Sequence, residues 1–396
     1  MSETLALHGG RPVRPALLPY GRHSVEEADV AAVVASLRSG WLTTGPPIAL
    51  FEEAVANRVG AARAVALSSG TAALHSAMFA VGIGPGDEVI APPLTFAAST
   101  NAVLYLGGVP VFADVRADTL NLDPAEVERR LTPRTKAVVV VDYAGQPGDL
   151  DALRDLTSRR GVALVEDAAH ALGARYRGRP LGALADLTTW SFHPVKHVTT
   201  GEGGMVTTDD PRLAERCRRF RNHGIATDAA QREAAGDWFY EMVDLGFNYR
   251  LTDLQAALGL AQLARLDVFL ARREAIAARY HAAFDELPGL ALPAVAPDVR
   301  HAYHLFPVLL GLERLAADRR TVFKALRAEG IGVNVHYIPV YWHPYYRALG
   351  YEKGLCPRAE AAYERLLSLP MFPAMHDRDV DDVIAAVRKV LGHFAR

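Results

Sequence analysis

Short apolar runs and longer amphipathic stretches alternate along the first half of the chain. Continuous apolar runs bounded by turn residues are typical of strands buried on both faces of a sheet. The runs that predict strands are 64–67, 87–92, 109–115, 137–143, 162–166, 187–192 and 205–208. Roughly seven strands that mostly alternate with helices indicate an α/β fold, in which a largely parallel sheet lies between layers of helices.

Two stretches show the spacing of amphipathic helices. The first covers residues 23–38, and Ser24 is the expected N-cap residue at its start. The second follows Thr252, another expected N-cap, and its apolar repeat predicts a long helix to about residue 286.

The length and the turn residues indicate two domains. A chain of 396 residues, half of them hydrophobic, can bury one large core and a smaller one. Prolines in the segment 292–297 fit a boundary region. We predict a large domain over 1–265, followed by a linker helix and a small α+β domain over 266–396.

Composition excludes several function classes. The formal net charge is −2, so nothing in the charge indicates a nucleic-acid or membrane partner. Cys217 and Cys356 lie far apart and lack the paired spacing of a zinc site. The first residues do not resemble a secretory signal, and no run approaches the roughly 18 apolar residues of a membrane-spanning helix. We expect a protein located in the cytoplasm.

A single lysine stands between an apolar run and a glycine-rich turn. Lys196 lies in the segment 191–204, where Phe192, Pro194 and Val198 provide apolar neighbours. A free lysine amine has a pKa of about 10.4, so a nucleophilic lysine needs apolar surroundings or a neighbouring cation. A lysine beside a turn is more often a solvated surface residue, so this motif needs a second one to support a chemical role.

The second motif is the apolar run that ends in Glu166 and Asp167. A buried parallel strand that ends in a carboxylate delivers it to the sheet edge where open α/β proteins bind their ligands. In pyridoxal phosphate (PLP) enzymes one lysine binds the cofactor and an aspartate holds its ring nitrogen protonated. Lys196 and Asp167 fit these two roles, although an isolated Asp167 is more often a helix N-cap.

Two further features fit such a cofactor. A small polar turn containing Ser69 and Thr71 lies between a strand and a helix start, where backbone amides and hydroxyls can bind a phosphate. Ordinary helix capping by either residue is the alternative. Phe96 follows the strand 87–92, where an aromatic side chain can stack on a heterocycle or, more commonly, belong to the core.

These motifs resemble a known family. SFHPVK at 191–196, TTGEGG at 199–204 and LGFNYRLTDLQAALG at 245–259 are similar to the sugar aminotransferases of the DegT/DnrJ/EryC1/StrS family. The similarity extends from about Pro19 to about Pro373. It implies a PLP-dependent transferase of fold type I, with a mostly parallel mixed sheet in the large domain and a smaller α+β C-terminal domain.

The resemblance implies roles for matching residues. Lys196 would be the catalytic residue that binds the cofactor and transfers protons, and Phe96 would stack on the ring. The implied cofactor-binding residues are Gly70, Thr71, Ala72, Phe96, Asp167, His170, Ser191, Lys196, Asn248 and Arg250. Asn248 and Arg250 would reach the cofactor phosphate of a partner subunit, which implies a homodimer with shared active sites.

The substrate wall is predicted from two kinds of signal. The family places the loop with Thr43 and Thr44 near the sugar. The segments 301–308 and 333–346 combine histidines with aromatic residues, and His336 and Tyr337 are the candidates for contact with a sugar or nucleotide. No helical pair of histidines with an acidic partner is present, so we predict no metal.

A finer resemblance suggests the substrate. The motifs SFHPVK, LGFNYRLTDLQAALG, HAYHLFPV and VNVHYIPV are most similar to the branch that aminates C4 of UDP-4-keto-6-deoxy-N-acetyl-β-L-altrosamine on the pseudaminic acid route, with L-glutamate as donor. Two features depart from the family pattern. His197 replaces a small or polar residue, and Val141-Asp142-Tyr143 stands where the family often has a histidine.

Three alternatives remain open at this point. The acceptor would be another nucleotide ketosugar, such as a dTDP- or GDP-linked 4-keto-6-deoxyhexose or a 3-ketosugar. A sugar dehydratase on the same fold would carry histidine in place of Lys196. A non-catalytic PLP-binding regulator would show a lost lysine or an added DNA-binding segment.

Overall fold

The structure is a computed structural model that describes residues 4–227, 232 and 236–396. Its strands are β1 (Arg63–Leu67), β2 (Glu88–Ala91), β3 (Val109–Phe112), β4 (Thr135–Val141), β5 (Ala163–Asp167), β6 (Arg175–Tyr176), β7 (Arg179–Pro180), β8 (Leu187–Ser191), β9 (Gly204–Thr208), β10 (Leu290–Ala291), β11 (Val299–Arg300), β12 (Phe306–Leu310) and β13 (Leu366–Leu369).

The α-helices surround these strands. They are α1 (Glu27–Arg38), α2 (Pro46–Val59), α3 (Gly70–Ala80), α4 (Ala98–Leu104), α5 (Pro124–Arg130), α6 (Leu150–Arg160), α7 (Pro211–Phe220), α8 (Asp253–Ala264), α9 (Leu266–Phe284), α10 (Arg319–Ala328), α11 (Pro344–Ala348), α12 (Pro357–Arg365) and α13 (Asp377–Phe394).

A seven-stranded sheet forms the centre of the molecule. Its strand order is β1-β9-β8-β5-β4-β2-β3. The neighbours from β8 through β3 pair in parallel, and β9 pairs antiparallel with both β1 and β8. The predicted α/β class and the mostly parallel sheet of about seven strands are confirmed, because each predicted apolar run overlaps one strand of this sheet.

Alternation along the central strands separates two apolar layers. On β4 and β5, the side chains of Val138, Val140 and Leu164 join one buried cluster. Val139 and Val165 join another on the opposite face. Because successive side chains of a strand point to opposite faces, the polar residues at the strand ends are also divided between the two faces.

The start of the first helix differs from the prediction. Ser24 is not its N-cap, because α1 begins at Glu27 and Glu26 occupies the cap position. The backbone N–H of Glu26 donates to Asp29 Oδ2 at 2.8 Å, which closes the first turn. Ser24 instead offers its carbonyl oxygen to Gln262 Nε2 at 2.8 Å, so tertiary contact with a later helix decided its role.

The second predicted helix begins as expected and then breaks. Thr252 is the N-cap of α8, and its hydroxyl accepts from the backbone N–H of Gln255. The long helix predicted to about residue 286 is two helices, α8 and α9, which meet at Arg265 with a bend of 57°. None of the described helices is by itself long and apolar enough to span a membrane, and only this bent pair passes such a test by length and composition.

A further apolar cluster packs the C-terminal part of the chain. It joins α9, α10, α13, β12 and β13, and it includes Leu5 and Leu18 from the N-terminal segment. The strands β10, β12 and β13 form a separate antiparallel sheet. The division into domains 1–265 and 266–396 stays a prediction.

Candidate active site

A cavity of about 610 Å³ lies at the carboxyl edge of the large sheet. The ends of β4, β5 and β8, the start of α3 and a segment of the C-terminal part meet around it. Its lining includes nine of the predicted site residues, namely Gly70, Thr71, Phe96, Asp167, His170, Ser191, Lys196, His336 and Tyr337. Ligands of open α/β proteins bind at this edge, because the loops that follow parallel strands converge there.

Lys196 enters the cavity from the turn after β8. Its backbone N–H donates to the carbonyl oxygen of His193 at 2.9 Å, which closes the turn. Burial of the amine lowers the pKa of Lys196 to about 8, an effect that the charge of Asp167 opposes and the charge of Arg273 reinforces. A substantial fraction of the amine is therefore neutral near physiological pH and available as a nucleophile or base.

Asp167 ends β5 and is 5% exposed. Its Oδ2 accepts from Ser99 Oγ at 2.6 Å, and its Oδ1 accepts from the backbone N–H of Ala169 at 3.2 Å. Burial raises the pKa of Asp167, while these hydrogen bonds and the charge of Lys196 oppose the rise. The alternative role as a helix N-cap is excluded, because no helix begins in the described segment between β5 and β6.

The turn before α3 forms a narrow polar cradle. Ser69 is the N-cap of α3, and its hydroxyl accepts from the backbone N–H of Ala72 at 3.0 Å. A Cβ at position 70 would lie 2.9 Å from Ser191 Cβ, so Gly70 permits the close approach of the two walls. Ala72 lies outside the cavity lining, in the apolar cluster beneath α3.

Phe96, Tyr337 and His170 lie close together on the other side of the cavity. Phe96 is 62% exposed, and its ring centroid lies 6.2 Å from that of Tyr337. The Tyr337 hydroxyl lies 3.0 Å from His170 Nε2. Burial, followed by the nearby charge of Lys196, holds the pKa of His170 well below its usual value, so its imidazole is neutral.

Besides Ala72, four predicted residues lie away from the cavity lining. Thr43 pairs with Thr252 in an isolated bridge, and Thr44 is exposed beside it. Arg250 Nη1 donates to Asn222 Oδ1 at 2.6 Å, and Asn248 pairs with Asn222 through the backbone. The roles predicted for Thr43, Thr44, Asn248 and Arg250 stay predictions.

Several lining residues were not predicted. Tyr20 belongs to the N-terminal segment, and its ring centroid lies 5.1 Å from that of His336. His193, Glu202, His304 and Asn334 are further polar residues of this kind. His193, His304 and Asn334 stand inside motifs that the sequence highlights, but no local pattern indicates that Tyr20 reaches the site.

Hydrogen bonds from residues outside the cavity fix the part of its wall that contains His336. His336 is 6% exposed, and its Nδ1 lies 2.9 Å from Ser368 Oγ. Burial lowers the pKa of His336 to about 4, which keeps the ring neutral. The hydroxyl of Tyr143 donates to the His336 carbonyl oxygen at 2.6 Å and thereby fixes the backbone beside Tyr337.

A buried layer beneath Lys196 connects the two halves of the chain. His197 is buried, and its Nε2 donates to the carbonyl oxygen of Ala302 at 2.8 Å. Arg273 is 1% exposed and donates to the carbonyl oxygens of Tyr303, His304 and Met371. Arg273 forms no ion pair with a described residue, and its positive charge helps to lower the pKa of Lys196.

The donor set of this cavity fits PLP. It combines an amine of lowered pKa with a carboxylate whose two oxygens accept hydrogen bonds. It also offers hydroxyls and amide groups at the start of α3, a helix of eleven residues, and one exposed aromatic ring. These are the groups needed for covalent attachment, ring-nitrogen protonation, phosphate binding and stacking.

Comparisons with known proteins agree with this fit. The family model described as the DegT/DnrJ/EryC1/StrS aminotransferase family matches residues 23–388. The spore coat polysaccharide biosynthesis protein SpsC of Bacillus subtilis is 46% identical over 377 residues, which cover 94% of this chain and 97% of SpsC.

Two solved proteins show the same architecture. Spr1654 of Streptococcus pneumoniae, assigned as a sugar aminotransferase, is 32% identical to this chain. The match covers 95% of this chain and 99% of the Spr1654 chain. Its TM-scores are 0.90 for the PMP form and 0.89 for the PLP form. PseC of Helicobacter pylori, an aminotransferase involved in pseudaminic acid biosynthesis, is 30% identical with a TM-score of 0.89, over 96% of this chain and 100% of PseC.

Proposed function

The chain belongs to the DegT/DnrJ/EryC1/StrS aminotransferase family, and from this premise we propose that it transfers the amino group of L-glutamate to C4 of a UDP-4-keto-6-deoxy-N-acetylhexosamine. It is a PLP-dependent sugar aminotransferase of fold type I. The observation that carries the proposal is the cavity in which Lys196 and Asp167 meet, because this pair supplies the two groups that PLP chemistry requires.

Lys196 is the proposed proton carrier. When bound, PLP supplies an electron sink that stabilises negative charge on the carbon next to the transferred nitrogen. Lys196 Nζ would take the proton from the α-carbon of the amino donor. In the second half-reaction it would return a proton to the sugar carbon that receives the amine. The lowered pKa suits both directions, since a group that titrates near the working pH can accept and donate.

The other residues bind and orient. Asp167, kept in place by Ser99 and the Ala169 amide, would face the ring nitrogen of the cofactor. Thr71 and Ser191 would bind the phosphate at the start of α3, and Phe96 would stack on the ring. His170 is neutral and bonded to Tyr337, so it would serve as a hydrogen-bonding partner of the ring hydroxyl.

The substrate wall that we propose consists of Tyr20, Asn334, His336 and Tyr337. These side chains combine aromatic faces with neutral polar atoms, which suits a sugar hydroxyl or a nucleotide base. The described residues that line the cavity include no arginine. We therefore assign binding of the substrates' negative charges to neutral donors and to a second copy of the chain.

We propose a homodimer, and exposed apolar residues that precede Asn248 and Arg250 in the sequence support it. Trp238, Met242 and Leu245 are 82%, 65% and 77% exposed and precede Asn248 and Arg250. Apolar side chains concentrated on one segment mark an interaction surface. Burial of this segment by a second copy would bring the predicted Asn248 and Arg250 to the partner's cofactor phosphate. A cytoplasmic location also stays a prediction.

A second acceptor class is favoured by one observation. Sequence identity is 46% to SpsC, a spore coat polysaccharide protein, and 30% to PseC, which acts in pseudaminic acid biosynthesis. The relative with the higher identity thus points to another polysaccharide route. A different UDP-, dTDP- or GDP-linked ketosugar would use the same cofactor residues and differ only at the substrate wall.

The test is a substrate panel. The purified protein, with PLP and L-glutamate, is incubated with UDP-, dTDP- and GDP-linked 4-ketosugars and 3-ketosugars, and the products are read by mass spectrometry. We expect selective amination of the UDP-4-keto-N-acetylhexosamine, with Lys196→Ala as the inactive control. Amination of a different ketosugar would replace the substrate, whereas no amination of any sugar would contradict the proposal.

A further inference from the structure

Two acidic side chains are fully buried on the sheet face opposite to Asp167. Asp142 follows β4, Glu166 lies one residue before the end of β5, and both are 0% exposed. Glu166 pairs in register with Val140 and Thr188, whereas Asp167 pairs with Val141 and Thr189. Because side chains alternate between faces, Glu166 and Asp142 point away from the active-site cavity.

Each carboxyl group has one satisfied oxygen and one unsatisfied oxygen. Asp142 Oδ1 accepts from the backbone N–H of Gly148 at 3.0 Å, and Glu166 Oε2 accepts from Thr188 Oγ1 at 2.7 Å. Asp142 Oδ2 and Glu166 Oε1 are buried and find no donor among the described residues. Neither group forms an ion pair in that part of the chain.

The strand register places the two carboxyl groups side by side on this face. Glu166 pairs with Val140, Asp142 stands two residues beyond Val140, and the backbone N–H of Asp142 donates to the carbonyl oxygen of Asp167 at 3.1 Å. Ionised carboxylates only accept hydrogen bonds, so a hydrogen bond between them requires a proton on one of them. Two buried anions in contact would also repel strongly without water or a cation to screen them.

We propose that Asp142 and Glu166 share one proton at neutral pH, and that this proton positions the loop 142–148 and, through it, the wall of the active site around His336. The pair then carries a single negative charge. Asp142 and Glu166 act as positioning residues, since neither lines the cavity.

The loop is the physical connection between the pair and the site. It begins at Asp142, and its next residue, Tyr143, donates to the His336 carbonyl oxygen at 2.6 Å. The carbonyl oxygens of Ala144 and Gly145 accept from the backbone N–H groups of Leu305 and Ala302, at 3.2 and 2.9 Å. Loss of the bond between Asp142 and Glu166 would therefore release contacts to two segments of the C-terminal part.

The loop needs such an anchor because its backbone is unfavourable. Ala144 has φ 59° and Gly145 has φ 104°. A left-handed conformation at a non-glycine residue costs on the order of 1 kcal/mol or more and persists only where surrounding contacts impose it.

The charged surroundings favour one retained proton. The charge of Asp167 acts on both carboxyl groups. Tyr143 on the loop and His304 and His336 on the packed segments are uncharged, because burial raises the pKa of Tyr143 and lowers those of the two histidines. Burial, then the charge of Glu166, raises the pKa of Asp142 well above its usual value, and burial raises the pKa of Glu166 to about 7.

The sign of the pH dependence follows. A carboxyl group whose pKa is raised by folding stabilises the native state fully below its unfolded pKa, and that contribution is lost as the pH rises to the folded value. For Glu166 the loss spans the interval from about 4.3, the ordinary glutamate value, to about 7. Only above the raised pKa of Asp142 does the remaining proton pass to solvent and leave two adjacent carboxylates.

Glu166→Gln is the informative variant. Its amide can donate to Asp142 Oδ2 and keep the bond without a titrating proton. The thermal midpoint of the full-length protein is measured between pH 5 and 8 for wild type and variant. We expect wild type to lose about 2–4 °C relative to the variant across this interval. Infrared difference spectra should show a protonated carboxyl band in wild type that the variant lacks.

Glu88→Gln is the matched control. Glu88 is also buried, at 5% exposed, but Arg134 Nε donates to it at 2.9 Å. Burial raises the pKa of Glu88, but hydrogen bonds from Thr132 and Arg134 outweigh this effect and hold the pKa below its usual value. Its contribution to stability is present at higher pH, so the difference between wild type and this control should change in the opposite direction.

A kinetic arm tests the positioning role and rests on the proposed function. Above pH 7 the KM for the ketosugar should rise several-fold in wild type and stay level in Glu166→Gln, with a smaller change in kcat. Identical pH profiles of midpoint for wild type and variant would overturn the proposal even if the enzyme aminates no sugar. A midpoint that rises with added K⁺ or Mg²⁺ and does not change with pH would identify a cation in place of the proton, and would also overturn it.

Discussion

Glu166 and Asp167 are neighbours in sequence and lie in opposite chemical environments. Asp167 faces the cavity, accepts hydrogen bonds at both oxygens, and has the cation of Lys196 near it. Glu166 faces the other layer, meets a second carboxyl group and has no described cation against it. The same burial therefore supports an anion on one face and a shared proton on the other, and donors and counter-charges make the difference.

The largest effect should come from removing the cation on the cavity face. Lys196→Ala deletes the proton carrier, and loss of such a group costs roughly 10²–10⁴-fold in rate before the lost covalent attachment is counted. Amination of the accepted ketosugar should fall below detection in a mass-spectrometric assay, while circular dichroism reports an intact fold. Full turnover by this variant would show that the mechanism is wrong.

The next effect separates the two carboxyl groups directly. Asp167→Asn should reduce kcat roughly 10²–10³-fold, because removal of one preorganised electrostatic group in an active site has that order of effect. Glu166→Gln, one residue away and equally conservative, should change kcat at pH 7 far less. Similar losses in both variants would mean that the two faces of the sheet edge do not differ as we describe.

The environment of the lysine can be measured without turnover. The rate at which the cofactor-free protein captures PLP should rise about tenfold per pH unit up to about pH 8 and level off above it, because only the neutral amine attacks. Stopped-flow absorbance of PLP follows this reaction, and free Nα-acetyl-lysine is the control. A rate that keeps rising to pH 10 would place the amine in water.

The smallest effect concerns one hydrogen bond. Ser99→Ala removes the donor at 2.6 Å from Asp167 Oδ2. Hydrogen bonds to charged groups contribute about 1.5–3 kcal/mol, so PLP should dissociate on the order of ten times more readily. Ser99→Thr, which keeps a hydroxyl, should restore most of the affinity. Unchanged PLP retention in Ser99→Ala would show that this hydrogen bond does not contribute to PLP binding through Asp167.

Local motifs predicted much of the site, and their failures are informative. Lys196, Asp167 and the turn with Ser69 and Thr71 could be located because strand ends and helix starts leave polar groups at defined positions. Ser191 and Gly70 were indicated only by the family resemblance. Ser24 failed as an N-cap because contact with Gln262 recruited its carbonyl oxygen. The sequence shows that Asp142 departs from the family pattern, but it does not show that Asp142 lies beside Glu166.

The pattern of apolar and polar residues determined the layers of this protein, the parallel strands and the residues at their carboxyl ends. Backbone geometry imposes those periods locally, and a short segment is enough to reveal them. Only the tertiary structure brought Tyr20 to the segment that carries Asn334 and His336, and only it placed Asp142 beside Glu166. The members of each pair are separated along the chain, and their proximity depends on how whole layers pack, which no local spacing records.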